Sequence, residues 1–288
     1  MSSERLFVRL ADDPLYAPET TVPAGTMREF TVPGELTRQV VAVMAYEEQL
    51  PAAAQVTERV LPDGAARLIV DTSGGMPSVR LVGATSKAQV LTHRGRVQGL
   101  SLTLRAGASL TLFGIPAHEL AGRAFVWDEV APQHLRTLPE RMHALGSTQA
   151  RVRLLLGLFG KEATTRTLVD PERTIGAMQI LSGTRSRQPV RDAAALLGVG
   201  ERRLEQLFRD HVGLSPKTWH RLARFHECLR LLRRQPSVGW VDLAMEAGFH
   251  DQAHLIKDFR GLAGLSPSRL AGPGAASGFS KTGPGHER

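Results

Sequence analysis

At 288 residues, with 42% hydrophobic and 22% charged side chains, the chain has the composition of a soluble globular protein and the length of about two domains. No apolar run approaches the ~20 residues that a membrane-spanning helix needs, and the opening MSSERLFVRLADD mixes acids into a short apolar run, unlike a secretory signal. The single cysteine, Cys228, excludes an internal disulfide and a multi-cysteine zinc site, which leaves a cytoplasmic protein as the expectation.

The net charge of +8 is uneven: residues 171–272 carry 16 Lys/Arg and 10 Asp/Glu, whereas residues 1–170 carry 18 and 17. Such a concentration of basic charge is the footprint of a phosphate-binding surface.

In chain order, residues 1 to about 130 read as mostly strand. Short β-branched or apolar runs occur at 5–10, 38–46, 67–70 and 79–82, and Leu100, Leu102 and Leu104 alternate with Ser101 and Thr103 over 97–104. Turn signals separate them at Pro33-Gly34, Pro62-Asp63-Gly64, Ser73-Gly74-Gly75 and His93-Arg94-Gly95. Short strands at this spacing predict a barrel or sandwich. Residues 108–113 and 116–120 read as short helical turns.

Residues 132–145 and 148–159 then read as two helices, the second with Val152, Leu155, Leu156 and Phe159 on one face. That face either pairs across a dimer or packs on its own barrel. A polar, threonine-rich linker is expected over 160–170. A helix follows over 172–181, then a basic loop over 183–188.

Between Asp192 and Pro267 one pattern is written twice. Leu204, Phe208, Gly213, Leu214, Ser215 and Pro216 recur as Leu255, Phe259, Gly264, Leu265, Ser266 and Pro267, at an offset of 51; Asp192 and Gly198 recur as Asp242 and Gly248, at an offset of 50. Two copies of one supersecondary unit are implied. Each copy reads as a short helix, a glycine turn, and a second helix ended by glycine, with Ser-Pro starting the next. That is a helix-turn-helix, with units at 190–212 and 239–262. A long helix from Ser215 to about Arg234 joins them, its apolar positions Trp219, Leu222, Phe225, Leu229 and Leu232 holding the units in fixed relation; Pro236 and Ser237 break it. The glycine-, proline- and serine-rich tail at 273–288 is expected to be disordered.

The runs GVGERRLEQLFRDHVGLSP and AGFHDQAHLIKDFRGLAGLSP resemble the two helix-turn-helix units of AraC/XylS-type transcription regulators, including the one-residue difference between the turns. The resemblance covers roughly 171–272. Departures are Gly200 where a capping serine is usual, His254-Leu255 where two aromatics are usual, and Leu270 near the usual Tyr-Arg. Glycine serves as an N-cap at small cost. In the first half, LPDGAARLIVD, Gly83 and SLTLRAGASLTLFGIPAHEL resemble the β-rich domain that precedes the DNA-binding half in one AraC subgroup.

The fold expected is therefore α+β and multidomain: a β-rich, barrel- or sandwich-like domain over 1–165 followed by an all-α double helix-turn-helix domain over 166–272.

With Leu204 and Phe208 inward, 100° per residue puts Arg202, Gln206 and Arg209 on the outward face, flanked by Glu205 and Arg203. The second unit gives Ala253, Lys257 and Arg260, flanked by His254 and Gln252. The resemblance implies base contacts at Arg202, Glu205, Gln206, Gln252, Ala253 and Lys257. Arg can fork onto guanine O6 and N7, Gln can bond adenine N6 and N7, and Ala can only touch a thymine methyl or give room. Arg185, Arg187, Arg191, Arg203, Arg209 and Arg260 are expected as phosphate contacts, which position without specifying.

Other constellations are weaker. His250 and His254 have helical metal spacing, but Asp251 replaces the Glu of the metalloprotease motif. The run Gly157 to Glu162 lacks the spacing and the Ser/Thr of a phosphate loop. Nothing links His93, His118, His134 and His143 by spacing. Arg105 either continues the face of Leu100, Leu102 and Leu104 inward, where it could bind an anion, or marks the end of the strand.

The reading is a sequence-specific DNA-binding transcription regulator, not an enzyme, with no cofactor and no metal. Its N-terminal domain would sense an effector or mediate dimerisation. The partners in view are a double-stranded DNA operator, a small-molecule effector, RNA polymerase and a second copy of the chain, with no membrane. The alternatives are a sugar- or metal-binding barrel enzyme fused to a DNA-binding domain, or an architectural DNA-binding protein.

Overall fold

The computed structural model describes residues 5–7, 23, 25–165, 171–183, 185–235 and 238–270. The expected strand over 8–10, the end of the linker at 166–170, the helix break at Pro236 and Ser237, and the tail lie outside the described residues.

A six-stranded antiparallel sheet organises the first half. Its spatial order is β2 (Met27–Phe30), β3 (Val40–Gln49), β8 (Arg96–Leu104), β5 (Arg67–Asp71), β6 (Ser78–Val82) and β9 (Ala124–Val126). A second sheet holds β1 (Arg5–Phe7), β4 (Gln55–Val60) and β7 (Gln89–Arg94), with β1 parallel and β7 antiparallel to β4. The β-rich class read from the sequence is therefore correct, built as two sheets.

Leu100 and Leu102 of β8 lie opposite Ala45 and Val43 of β3, and opposite Val70 and Leu68 of β5. Ser101 and Thr103, which simple alternation would leave wet, are buried as well. Both are flanked on either side, Ser101 by Met44 and Ile69 and Thr103 by Ala42 and Arg67, since β8 is paired along both edges.

Helices cover one face of the large sheet. These are α1 (Ala108–Phe113), α2 (Ala117–Leu120), α3 (Trp127–Val130), α4 (Leu138–His143) and α5 (Thr148–Thr165). Phe113 meets Trp127 and Phe159 edge-on, with ring centres 5.8 and 5.6 Å apart. Val152, Leu155, Leu156 and Phe159 share one buried cluster with Val70, Leu81 and Leu102. The apolar face of α5 is thus spent on its own domain rather than on a dimer partner.

The single helix expected over 132–145 is a 3-10 turn at 133–135 followed by α4, because Pro139 favours a fresh helix start. Helix α5 runs on to Thr165, so the first part of the expected linker is helical. Arg105 follows the end of β8, and its Nε donates to the Thr37 carbonyl at 2.8 Å; it marks the strand's end.

Among the described residues the second half consists of seven helices: α6 (Pro171–Gly183), α7 (Pro189–Leu196), α8 (Glu201–His211), α9 (Pro216–Arg234), α10 (Trp240–Glu246), α11 (Gln252–Ala263) and α12 (Pro267–Leu270). The two helix-turn-helix units are α7–α8 and α10–α11. Their turns place Gly198 at φ 63° and Gly248 at φ 79°, a left-handed conformation that side chains resist. Helix α9 buries Trp219, Leu222, Phe225, Leu229 and Leu232 in one cluster with Leu204 and Phe208 of α8 and Leu255 and Phe259 of α11.

The first half touches both units. The last carbonyls of a helix have no partner within it. Here the Gly107 N–H donates to the His211 carbonyl at the end of α8 at 2.8 Å. At the end of α11, the Ala88 N–H reaches the Leu262 carbonyl at 2.6 Å, and Arg59 Nη1 reaches that of Ala263 at 2.9 Å. Against α9, His226 Nε2 donates to the Pro62 carbonyl at 2.7 Å. Gly64 abuts Trp219 so closely that a Cβ there would lie 2.8 Å from its Cζ3.

Candidate nucleic-acid interface

Helix α8 is amphipathic because Leu204, Leu207, Phe208 and His211 fall on one side and are buried. Arg202, Arg203, Glu205, Gln206 and Arg209 are consequently exposed, as the rotation from Leu204 and Phe208 requires. Gln206 Nε2 donates to Asp210 Oδ2 at 2.7 Å. No side chain caps the start of α8, where Gly200 stands.

Helix α11 begins on a real cap. Asp251 Oδ1 accepts the N–H of His254 at 2.7 Å. Leu255, Asp258, Phe259 and Leu262 are buried, Ala253, Lys257 and Arg260 are exposed, and Gln252 is half-buried. His250 lies outside the helix, so the pair with His254 is not a helical i, i+4 pair. His254 instead packs edge-on to Phe249 at 5.5 Å and lies 3.7 Å from Asp258. Among the described residues no three His, Cys, Asp or Glu side chains converge as a metal site.

Between the two units runs an open groove of about 1100 Å³. Arg185, Arg187 and Arg191 line one wall, and Met245, Phe249 and His250 contribute to another. The three arginines are exposed, and Arg191 Nη1 donates to Gln188 Oε1 at 3.1 Å. The floor includes Lys217, Arg221 and Arg224 of α9. Sequence reasoning took α9 as an apolar spacer and missed these three. Their spacing of i, i+4 and i+7, one helical face, is the signal that could have found them.

Two of those cations are held. Asp258, 3% exposed, accepts from Arg221 Nε at 3.0 Å and Nη2 at 2.8 Å, and from Arg224 Nη2 at 3.3 Å. Arg224 also covers the Phe249 ring, 4.8 Å from its centre. Burial lowers the pKa of Arg224, and the Asp258 carboxylate opposes that shift. The network ties α11 to α9 and fixes how the second unit presents its outward face.

Arg209 is less free than the other arginines. Its Nη2 lies 3.3 Å from Nε2 of His118, whose Nδ1 is 3.6 Å from Asp210 Oδ1. His118, one of the four histidines with no spacing signal, thus bridges the two halves. Cys228 is fully buried, and burial pushes its thiol pKa up, as expected of a packing residue rather than a reactive one.

A family model described as a helix-turn-helix domain matches residues 193–272, and a domain of unknown function (DUF6597) matches residues 28–125. The transcriptional regulator ExsA of Pseudomonas aeruginosa is 35% identical over 81 residues, which is 27% of this chain and 28% of ExsA. This chain therefore aligns with well under two thirds of that relative. Among solved structures, ToxT from Vibrio cholerae aligns over 80% of this chain and 97% of its own at 10% identity and a TM-score of 0.39. ToxT with bound unsaturated fatty acid aligns over 80% and 94% at 12% identity and a TM-score of 0.38. The repeat, its turns and the matched region agree: the chain carries an AraC/XylS-type double helix-turn-helix domain at its C-terminal end, preceded by a β-rich N-terminal region.

Proposed function

We propose that the chain is a sequence-specific DNA-binding transcription regulator, with a regulatory domain over 1–165 and a DNA-binding domain over 166–272. Helices α8 and α11 enter neighbouring major-groove faces, about one turn or ~34 Å apart. The observation that carries this reading is the repeated unit itself: in both copies the inner face is buried and the outer face is exposed beside a basic groove.

In this reading Arg202 forks onto a guanine, Gln206 bonds an adenine and Glu205 accepts from a cytosine amino group. Gln252, Ala253 and Lys257 face the second groove segment. Arg185, Arg187, Arg191, Arg203 and Arg260 clamp phosphates, and Lys217 joins them. Arg209 can do so only by sharing its guanidinium with His118. The N-terminal domain regulates by contact, since it caps the ends of both recognition helices. An effector or a second copy that shifts this domain would shift both helices.

Selection of bound fragments from random DNA by the full-length protein, at fixed salt, tests the proposal. A shared motif is expected, and Arg202→Ala should cost about 1–3 kcal/mol and relax preference at one position. Binding without a motif, falling steeply with salt, would reduce the contacts to phosphates and favour an architectural role.

A further inference from the structure

The internal repeat allows the two units to be compared position by position. Arg191 and Ala195 of α7 correspond to Val241 and Met245 of α10, and Arg202 and Glu205 of α8 correspond to Ala253 and Ile256 of α11. The first unit is thus largely charged where the second is apolar. For Val241 and Met245 the core does not explain this, because Leu243 and Ala244 already supply the buried side of α10, whereas Ile256 is half-buried and packs partly on the core. Val241 is 60% and Met245 62% exposed. They line one shallow depression with Gln252, Ala253 and Ile256 on the outer side of the second unit. A contiguous exposed apolar patch marks a contact surface.

The surroundings indicate what covers it. Met245 and His250 line both this depression and the basic groove of Arg185, Arg187 and Lys217. Lys257 follows Ile256 along α11 and is exposed. A polyanion drawn into the groove would therefore lie across the patch. In the major groove the apolar group on a base edge is the thymine C5-methyl.

Building on the DNA-binding function proposed above, we infer that Met245, Ala253 and Ile256, with Val241 at the rim, form an apolar face that reads thymine methyl groups. The first unit then selects bases by hydrogen bonding alone, and the second adds to the contacts of Gln252 and Lys257 a preference for thymine read by apolar contact.

The test uses the full-length protein and the motif selected from random DNA, with each thymine replaced in turn by deoxyuridine. That change removes the methyl and keeps every hydrogen bond. Each contacted methyl should be worth about fourfold in affinity, the equivalent of ~0.8 kcal/mol per buried methylene-sized group. Met245→Ser, at an exposed position, and Ile256→Ser should weaken binding and erase the thymine–uracil difference, whereas Arg202→Ala should weaken binding and keep it. Equal affinity for thymine and uracil sites in the wild-type protein overturns the inference and leaves the DNA-binding function standing. So does a thymine–uracil difference that survives both serine variants, or a Met245→Ser effect on self-association alone. Absence of any motif sinks both.

Discussion

Asp258 shows how one residue can set a whole surface. It is a carboxylate buried in the inner face of α11, at the position where the first unit has Leu207. Its two arginine partners come from α9, so the charge is compensated only while the helices stay in register. Removing one member of a buried pair strands the others and typically costs ~3–5 kcal/mol. Because Arg221 is 35% exposed and water can rescue it, we expect Asp258→Asn to lose about 3 kcal/mol in urea unfolding. A loss well under 1 kcal/mol would show that solvent already screens the network. At this scale the outward faces were legible in advance, because Leu204, Phe208, Leu255 and Phe259 anchor the rotation of each helix. Asp258 was not legible, since a lone acid among polar neighbours reads as surface until its partners on another helix are known. The basic stripe of α9 was hidden for a similar reason: its apolar positions, taken alone, account for the helix.

Among elements, the strands recovered from sequence were those in the middle of the large sheet, where β-branched and leucine-rich runs are buried on at least one face. The second sheet was missed apart from β1, which lies wholly within the strand expected over 5–10. Its strands β4, QVTERV, and β7, QVLTHR, are polar, with Val90 51% and Leu91 40% exposed, so no alternating apolar face betrays them. The turn signal at His93-Arg94-Gly95 was correct, and it joins β7 to β8. Gly99 gives the register of the large sheet a sharp check. A Cβ there would lie 2.2 Å from the Val70 carbonyl oxygen and 2.4 Å from Tyr46 Oη. Overpacking of this kind costs ~1–3 kcal/mol, and backbone on one side leaves little room to relax. Gly99→Ala should therefore sit at the upper end, about 3 kcal/mol by thermal or urea unfolding. A variant as stable as wild type would contradict the pairing of β8 with β5.

For the whole molecule, the repeat made the double helix-turn-helix legible, but its relation to the N-terminal region was not. The contacts that join them are mostly backbone: the carbonyls of Pro62, His211, Leu262 and Ala263, and the N–H groups of Ala88 and Gly107. Such groups carry no side-chain signature, so no pattern announces them. The consequence is functional in scale. The same domain holds the C-terminal ends of α8 and α11, which the proposed function needs at a fixed spacing on the duplex. These contacts tie the N-terminal region to both helix ends, and His118 beside Arg209 sits where that region meets the proposed phosphate surface.

The measurement that bears most directly on the central claim is a missing-base interference footprint of the full-length protein on its selected site. Two clusters of required bases are expected on one face of the duplex, about one helical turn apart. Arg202→Ala should erase a base requirement in one cluster only, and Lys257→Ala in the other only. A single continuous patch, or variants that weaken every position equally, would contradict base reading by two separate recognition helices.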